Sequence, residues 1–215
     1  MYGKIGKPYW DDRPVAVVGS GPSLIDFDFD LLRGAHVLAV KASIFSIPWA
    51  DAGFGIDMPR FNEWRDKLAA AQCRVYWAVR ENELAEIGTP PLRNVTFLKR
   101  LAGESLSDDP GEVYDGGTNG FGAIQICLHK RARQIILFGF DYDAHNLHSG
   151  FLQSRLRNYQ KQRSDWSNWA ARFSVYLPYL TSRGITVLNA CPQSAITCFE
   201  KVTLQDGVEC LKTAT

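Results

Sequence analysis

Residues 14–24, PVAVVGSGPSL, limit what this chain can fold into more than any other stretch. Four apolar residues, Val15, Ala16, Val17 and Val18, run directly into Gly19-Ser20-Gly21-Pro22-Ser23-Leu24. A short unbroken apolar run ended by turn residues predicts a buried strand. The glycines after it let the backbone turn sharply and let a ligand come close. Pro22 suits the first position of a helix, where a missing N–H costs nothing, and Ser20 or Ser23 can cap that helix. Strand, glycine turn and helix N-terminus together present free backbone N–H groups, which suit a phosphate. Leu24 stands where G-x-G-x-x-G has its third glycine, and no G-K-[ST] follows. The stretch therefore fits a nucleotide-binding turn or a tight turn without a ligand. In open α/β sheets the ligand lies beyond the carboxyl ends of the strands.

The rest of the chain alternates in the same way. Apolar runs predict strands at 36–40 (HVLAV), 53–56, 73–79 (CRVYWAV), 95–98, 134–138 (QIILF) and 185–188. Between them, helices are expected at 23–33 closed by Gly34, 59–71, 81–87, 118–130 and 165–183, the last kinked at Pro178. Residues 103–117 read as loop. Strands alternating with helices predict an α/β fold with a doubly wound, mainly parallel sheet flanked by helices. The expected organisation is an N-terminal surface arm at 1–13, one domain at 14–205 with a lid or loop region at about 142–165, and a C-terminal tail at 206–215.

Composition narrows the function classes. With 215 residues, 46% hydrophobic, 22% charged and a net charge of +1, the chain reads as an ordinary globular one. Nothing in that balance argues for nucleic acid or membrane as a partner. No apolar run approaches the roughly 20 residues of a spanning helix, and MYGKIGKPYWDDRP has no apolar centre, so no signal peptide is expected. The five cysteines are scattered without C-x-x-C, which predicts buried thiols in a reducing, cytoplasmic setting.

In a parallel sheet the polar residues after each strand gather at one edge, as a ligand cleft requires. Those residues are Gly19, Ser20, Gly21 and Ser23, then Lys41 and Ser43, then Asp57, then Asp141 and Tyr142, then Asn189 and Ser194. Gly117-Thr118-Asn119-Gly120 adds a second helix start of the anion-binding type. The loop DYDAHNLH after QIILF carries Asp141, Asp143, His145 and His148. Its histidines can move protons near neutrality or bind a metal; the plainer reading is a polar surface loop. His36 and His129 read as structural. Arg155, Arg157, Lys161 and Arg163 form a cationic run, either a solvated face or a lid that meets phosphates, with Tyr142 and Tyr159 as partners. Trp64, Trp77, Trp166 and Trp169 read as core or helix-packing residues.

Three motifs in order, GSGPSL, GGTNGFGAIQICLHKRARQIILFGFDY and ITVLNACPQSAI, resemble the bacterial sialyltransferases that modify lipooligosaccharide. They equally resemble the related 6-hydroxymethylpterin diphosphokinase-like proteins and a group of small phage-encoded proteins, to which this chain looks nearest. The resemblance covers about residues 14–199 and implies a Rossmann-like, nucleotide-binding fold. It implies that Gly19, Ser20, Gly21 and Ser23 hold the phosphate and ribose of a CMP-sugar. Thr118-Asn119-Gly120 stands for the family's T-S-G, and Cys191-Pro192-Gln193-Ser194 for its C-P-N-S. The family has Asn where Ser20 and Lys41 stand, and a lysine there can contact a phosphate. It also carries a base histidine in an H-S pair where this chain has Trp166-Ser167, which leaves His145 and His148 as the histidines of the site.

Three activities are compatible with these residues. The first is a glycosyltransferase that binds a nucleotide-sugar donor and transfers the sugar to a hydroxyl acceptor, with His148, His145 and Asp141 as catalytic residues. Its donor site is Gly19, Ser20, Gly21, Ser23, Lys41, Asp57, Thr118, Asn119, Gly120, Tyr142 and Ser194. The second is a diphosphokinase-type transferase using a nucleoside triphosphate with Mg2+, with Asp141 or Asp57 as a metal ligand; apart from that reading, Asp141, Asp143, His145 and His148 of the loop are the metal-ligand candidates. The third is a nucleotide-binding phage accessory protein without catalysis. No cofactor is demanded outside the second, and a homo-oligomer is compatible with all three.

Overall fold

The computed structural model describes residues 2–11, 13–87, 92–142 and 163–213, with side chains described for all of these except 163–165. Among the described residues, nine strands form one sheet: β1 (Val15–Val18), β2 (His36–Val40), β3 (Ala52–Gly55), β4 (Arg74–Val79), β5 (Val95–Leu101), β6 (Glu112–Tyr114), β7 (Gln134–Phe138), β8 (Thr186–Asn189) and β9 (Glu200–Lys201). Their order is β6-β5-β4-β3-β2-β1-β7-β8-β9, and every pairing is parallel. Parallel strands are covered on both faces, so they need apolar residues at successive positions rather than at alternate ones. VAVV, HVLAV and QIILF supply this, and β1, β2 and β7 lie where their sequences place them.

The pleat sends alternate residues into two cores. Val15, Val17, Leu38, Val40, Ile135 and Leu137 face one core, completed by α4 (Asn119–His129), α5 (Arg163–Arg172) and α6 (Leu177–Arg183). Ala16, Val18, Val37, Ala39, Ile136 and Phe138 face the other, covered by α1 (Ser43–Ser46), α2 (Met58–Glu63), α3 (Arg65–Ala69) and α7 (Leu204–Lys212). The doubly wound, wholly parallel α/β sheet is thus the observed architecture. Among the described residues, no helix is long and apolar enough to cross a membrane. Gly55, in the glycine-bearing strand AGFG, is there for space: a Cβ would stand 2.4 Å from the Trp77 ring on β4.

Several local expectations are corrected. The helix expected at 23–33 is two 3-10 turns, Pro22–Leu24 and Phe29–Leu32. Asp26 between them is left-handed (φ 63°), and Asp28 starts the second by accepting from the Asp30 N–H. The cap of the first turn is Gly21, with no side-chain bond, so neither Ser20 nor Ser23 caps it. The helix at 59–71 is divided at Trp64, whose ring meets Phe45 edge to face. The one at 165–183 is divided by a 3-10 turn, Phe173–Tyr176, and Pro178 opens α6 instead of kinking a longer helix. The loop at 103–117 contains β6, an unexpected short strand β9 stands just ahead of the tail, and the tail contains most of α7. α7 is started by a reciprocal Thr203–Asp206 capping box and buries Val208 and Leu211.

The N-terminal arm is more than a surface strap. Ile5 and Trp10 are buried. Lys130, itself buried at the end of α4, donates to the carbonyls of Gly6 (2.7 Å) and Pro8 (2.9 Å) beneath the Trp10 ring. His36 stacks on Trp10 and meets Asp51 at 3.2 Å. All five cysteines are free; Cys73, Cys127 and Cys191 are buried.

Candidate functional site

The strand order reverses direction at β1: β2 to β6 are added on one side, β7 to β9 on the other. The loops after β1 and β7 therefore part at the carboxyl edge, which is where open α/β sheets form their crevice. Every strand is parallel, so the exits of β2, β3 and β8 and the start of α4 share that edge.

At the centre the two loops are stitched together. Gly19 N–H donates to Phe138 O (2.8 Å) and Gly21 N–H to Gly139 O (3.0 Å). The Ser23 amide donates to Asp141 Oδ1 (3.0 Å) and its hydroxyl to Oδ2 (2.9 Å). The Asp141 carboxylate thus takes up both donors of Ser23, one of the four residues expected to hold a phosphate. Asp141 is only 9% exposed, and a Cβ on Gly21 would lie 1.8 Å from its Oδ2. Ser43 Oγ braces the turn from behind by donating to Gly19 O (2.5 Å). The Cys191 thiol lies within hydrogen-bond reach of both Ser23 and Asp141; burial, with the Asp141 charge, pushes its pKa up to about 11, so it stays protonated. Ser194 is buried too, donating to Phe140 O (2.6 Å) and accepting from Ile196 N–H (3.1 Å). It braces the β7 loop. Ser20 stands on the rim, partly exposed.

The open anion-type position lies next door, at α4. Thr118 is its N-cap: Oγ1 accepts from Phe121 N–H (3.2 Å) and exchanges a hydrogen bond with Tyr142 OH (2.8 Å). The N–H groups of Asn119 and Gly120 donate to no partner among the described residues. They point out of the first turn of an 11-residue helix, where the backbone dipole is positive. Asn119 Oδ1 accepts from Ile56 N–H (2.9 Å), and its Nδ2 reaches Asp57 Oδ2 (3.5 Å). The same Asp57 oxygen meets Lys41 Nζ at 2.7 Å. Burial alone would raise the Asp57 pKa; the Lys41 ammonium, the bonds from Lys41 and Asn119, and Arg100 outweigh it and hold the carboxyl below its ordinary value. Lys41 is left-handed (φ 60°), with its N–H bound to Phe54 O (2.7 Å).

Three residues behind this edge escaped the sequence reading. Asp115, buried, accepts from Arg100 Nε (2.7 Å) and Gly117 N–H (2.9 Å) and lies 3.5 Å from Arg80 Nη2. Arg100 also donates to Ile56 O (3.0 Å), tying the exits of β3 and β5 together. Arg172 of α5 donates to Gly116 O (2.9 Å). Together they fix the turn that aims the start of α4. The run Asp115-Gly116-Gly117-Thr118, an acceptor and two glycines ahead of a capping threonine, was the available signal.

Aromatic rings wall one side. Tyr142 packs edge to face against Phe173 (5.3 Å) and Trp166 (5.8 Å), and Trp166 against Trp169 (5.3 Å). Trp166 is thus part of the wall. Burial raises the Tyr142 pKa, partly offset by Thr118, so it meets any ligand as a neutral phenol. Asp143, His145, His148, Arg155, Arg157, Tyr159 and Lys161 lie outside the described residues, as does the side chain of Arg163. Among the described residues, no group of three or more His, Cys, Asp or Glu could hold a metal ion.

No protein-family model matches the chain, and no curated protein matches it. Among solved structures, it is similar to the sialyltransferase CstII from Campylobacter jejuni, determined with the substrate analogue CMP-3FNeuAc. The identity is 13% and the TM-score 0.47, over 88% of this chain and 85% of that one.

Proposed function

We propose that this edge binds a nucleotide-sugar donor, of the CMP-sugar type, and transfers its sugar to a hydroxyl acceptor. One observation carries the reading. Two free N–H groups at the start of α4, the Thr118 cap, and the Lys41–Asp57–Asn119 cluster converge at the point where the strand order reverses. A phosphate fits the α4 terminus, where the unpaired N–H groups are the donors, and the Lys41 ammonium joins that helix start through Asp57 and Asn119. The glycine turn shapes the neighbouring wall, and Asp141 positions that turn through Ser23. The base that accepts the acceptor's proton is His148 or His145 in this proposal. Donors held beforehand at the leaving phosphate supply the electrostatic part of catalysis.

A thermal-shift screen tests this with CMP, UDP, GDP, ADP, ATP and CMP-sialic acid, each with and without Mg2+, because a ligand of the folded state raises apparent stability. The expected result is a metal-independent shift with CMP compounds, followed by slow donor hydrolysis that His148→Ala abolishes. A shift with ATP that requires Mg2+ overturns this in favour of a diphosphokinase-type transferase. Binding without turnover leaves a non-catalytic nucleotide-binding protein. The absence of any shift refutes all three.

A further inference from the structure

Two residues at the mouth of the cleft break local rules at one contact. Lys41 holds a left-handed backbone that side-chain-bearing residues disfavour. Asp57 is the N-cap of α2, a position where aspartate normally accepts from the helix's own N–H groups, yet it makes no capping bond. Its carboxylate turns to Lys41 instead. The side chains of the pair are 34% and 39% exposed, and an ion pair that open to water offsets little of either cost. Unfavourable local choices that coincide are characteristic of sites kept for a ligand.

The unused valences say which ligand. Asp57 Oδ2 takes both Lys41 and Asn119, while Oδ1 has no partner among the described residues. The Lys41 ammonium carries three hydrogens and, among the described residues, meets only Asp57. A free carboxylate oxygen and free ammonium hydrogens thus stand side by side. A phosphate at Oδ1 would be repelled. A pair of neighbouring hydroxyls fits: one donates to Oδ1, and the other accepts from Nζ. We infer that the Lys41–Asp57 pair is a specificity element for a vicinal diol on the ligand, an inference that rests on the nucleotide-sugar reading. The diol belongs either to the ribose or to the transferred sugar; both present the same chemistry.

Titration calorimetry with CMP, 2′,3′-dideoxy-CMP and CMP-sialic acid, on the wild type, Asp57→Ala and Lys41→Met, decides this. If the pair reads the ribose, the dideoxy compound binds the wild type about 10-fold or more weakly than CMP, the size of a hydrogen bond to a charged group. In Asp57→Ala that ratio falls to nearly one. If the pair reads the sugar, CMP-sialic acid outbinds CMP by a similar factor, and the variant loses that advantage. Ratios within one variant cancel any general loosening of the site. Should Asp57→Ala not fold, Lys41→Met, which keeps most of the side-chain stem, is judged by the same ratios. CMP binding with no discrimination in either comparison, or discrimination that persists in the variants, overturns the inference and leaves the nucleotide-sugar reading standing. No binding of any of the three overturns both.

Discussion

Asp141 and Ser23 hold the two sides of the crevice together, so removing their contact should cost more than an average substitution. Asp141→Ala deletes two charge-assisted bonds and leaves the Ser23 amide and hydroxyl without partners beside a largely buried site. Each such bond contributes about 1.5–3 kcal/mol. Relief of the carboxylate's own desolvation offsets part of the sum, leaving a loss of about 3 kcal/mol. Ser23→Ala removes only the hydroxyl bond and should cost about 1.5 kcal/mol. The two share a partner, so the double variant should lose less than the sum of the singles, with a coupling of about 1–2 kcal/mol. For a chain of this length, about 3 kcal/mol lowers Tm by about 6–12 °C. Urea unfolding at neutral pH, followed by circular dichroism, gives all four corners of the cycle. Strict additivity, or an Asp141→Ala loss below about 1 kcal/mol, would refute the clasp as the element that joins the loops.

Gly21→Ala should be more damaging than Asp141→Ala, since its Cβ would stand 1.8 Å from Asp141 Oδ2 and 2.6 Å from Gly139 O; soluble yield and Tm report it, and an unchanged Tm would contradict the close approach. Burial holds the His129 pKa below its ordinary value, against smaller upward pulls from the Glu112 backbone, Asp108 and Asp109. The unfolded chain therefore takes up the proton first, so stability should fall as pH drops below about 6.5 and level off once the folded-state pKa is passed. His129→Gln should flatten that region of a urea-midpoint profile. The Asp57 pKa is depressed, so its contribution is present above the ordinary aspartate value near 3.9 and is lost as pH falls through the lower folded-state value. Lys41→Met should shrink that acid-side loss, seen as a shallower midpoint-against-pH curve below about pH 4.

The central strands were legible because a parallel strand covered on both faces is apolar at successive positions, and VAVV, HVLAV and QIILF are short, β-branched-rich runs of that kind. The edge strands were not: β6 and β9 have three and two residues, EVY and EK, too short for a periodic signal. Helix interruptions at Asp26, Trp64 and Phe173–Tyr176 arise from a left-handed residue and from tertiary packing, neither of which composition reveals. For the site, the sequence could say which residues share an edge, because parallel strands impose it. It could not say which polar groups satisfy one another. Ser23 and Asp141 are remote in sequence, and their contact takes up the Ser23 amide and hydroxyl. Residues 117–120 were legible as a helix start; the orientation of that helix by Asp115, Arg100 and Arg172 was not.

The strand order also sets a timetable for the growing chain. Each strand from β2 to β6 is laid beside the one made just before it, so that side of the sheet can assemble as it emerges, from short-range pairings. The opposite flank of β1 has no such neighbour. Val15 to Val18 must wait for Ile135 to Phe138, with nearly all of one wing and α4 synthesised in between. Until then the nascent protein carries an unpaired, wholly apolar strand margin, the kind of surface that recruits a second chain. β7 closes that margin, and its last residues lead straight into the loop that carries Asp141. The step that protects the chain from self-association is therefore the same step that brings the two halves of the crevice together.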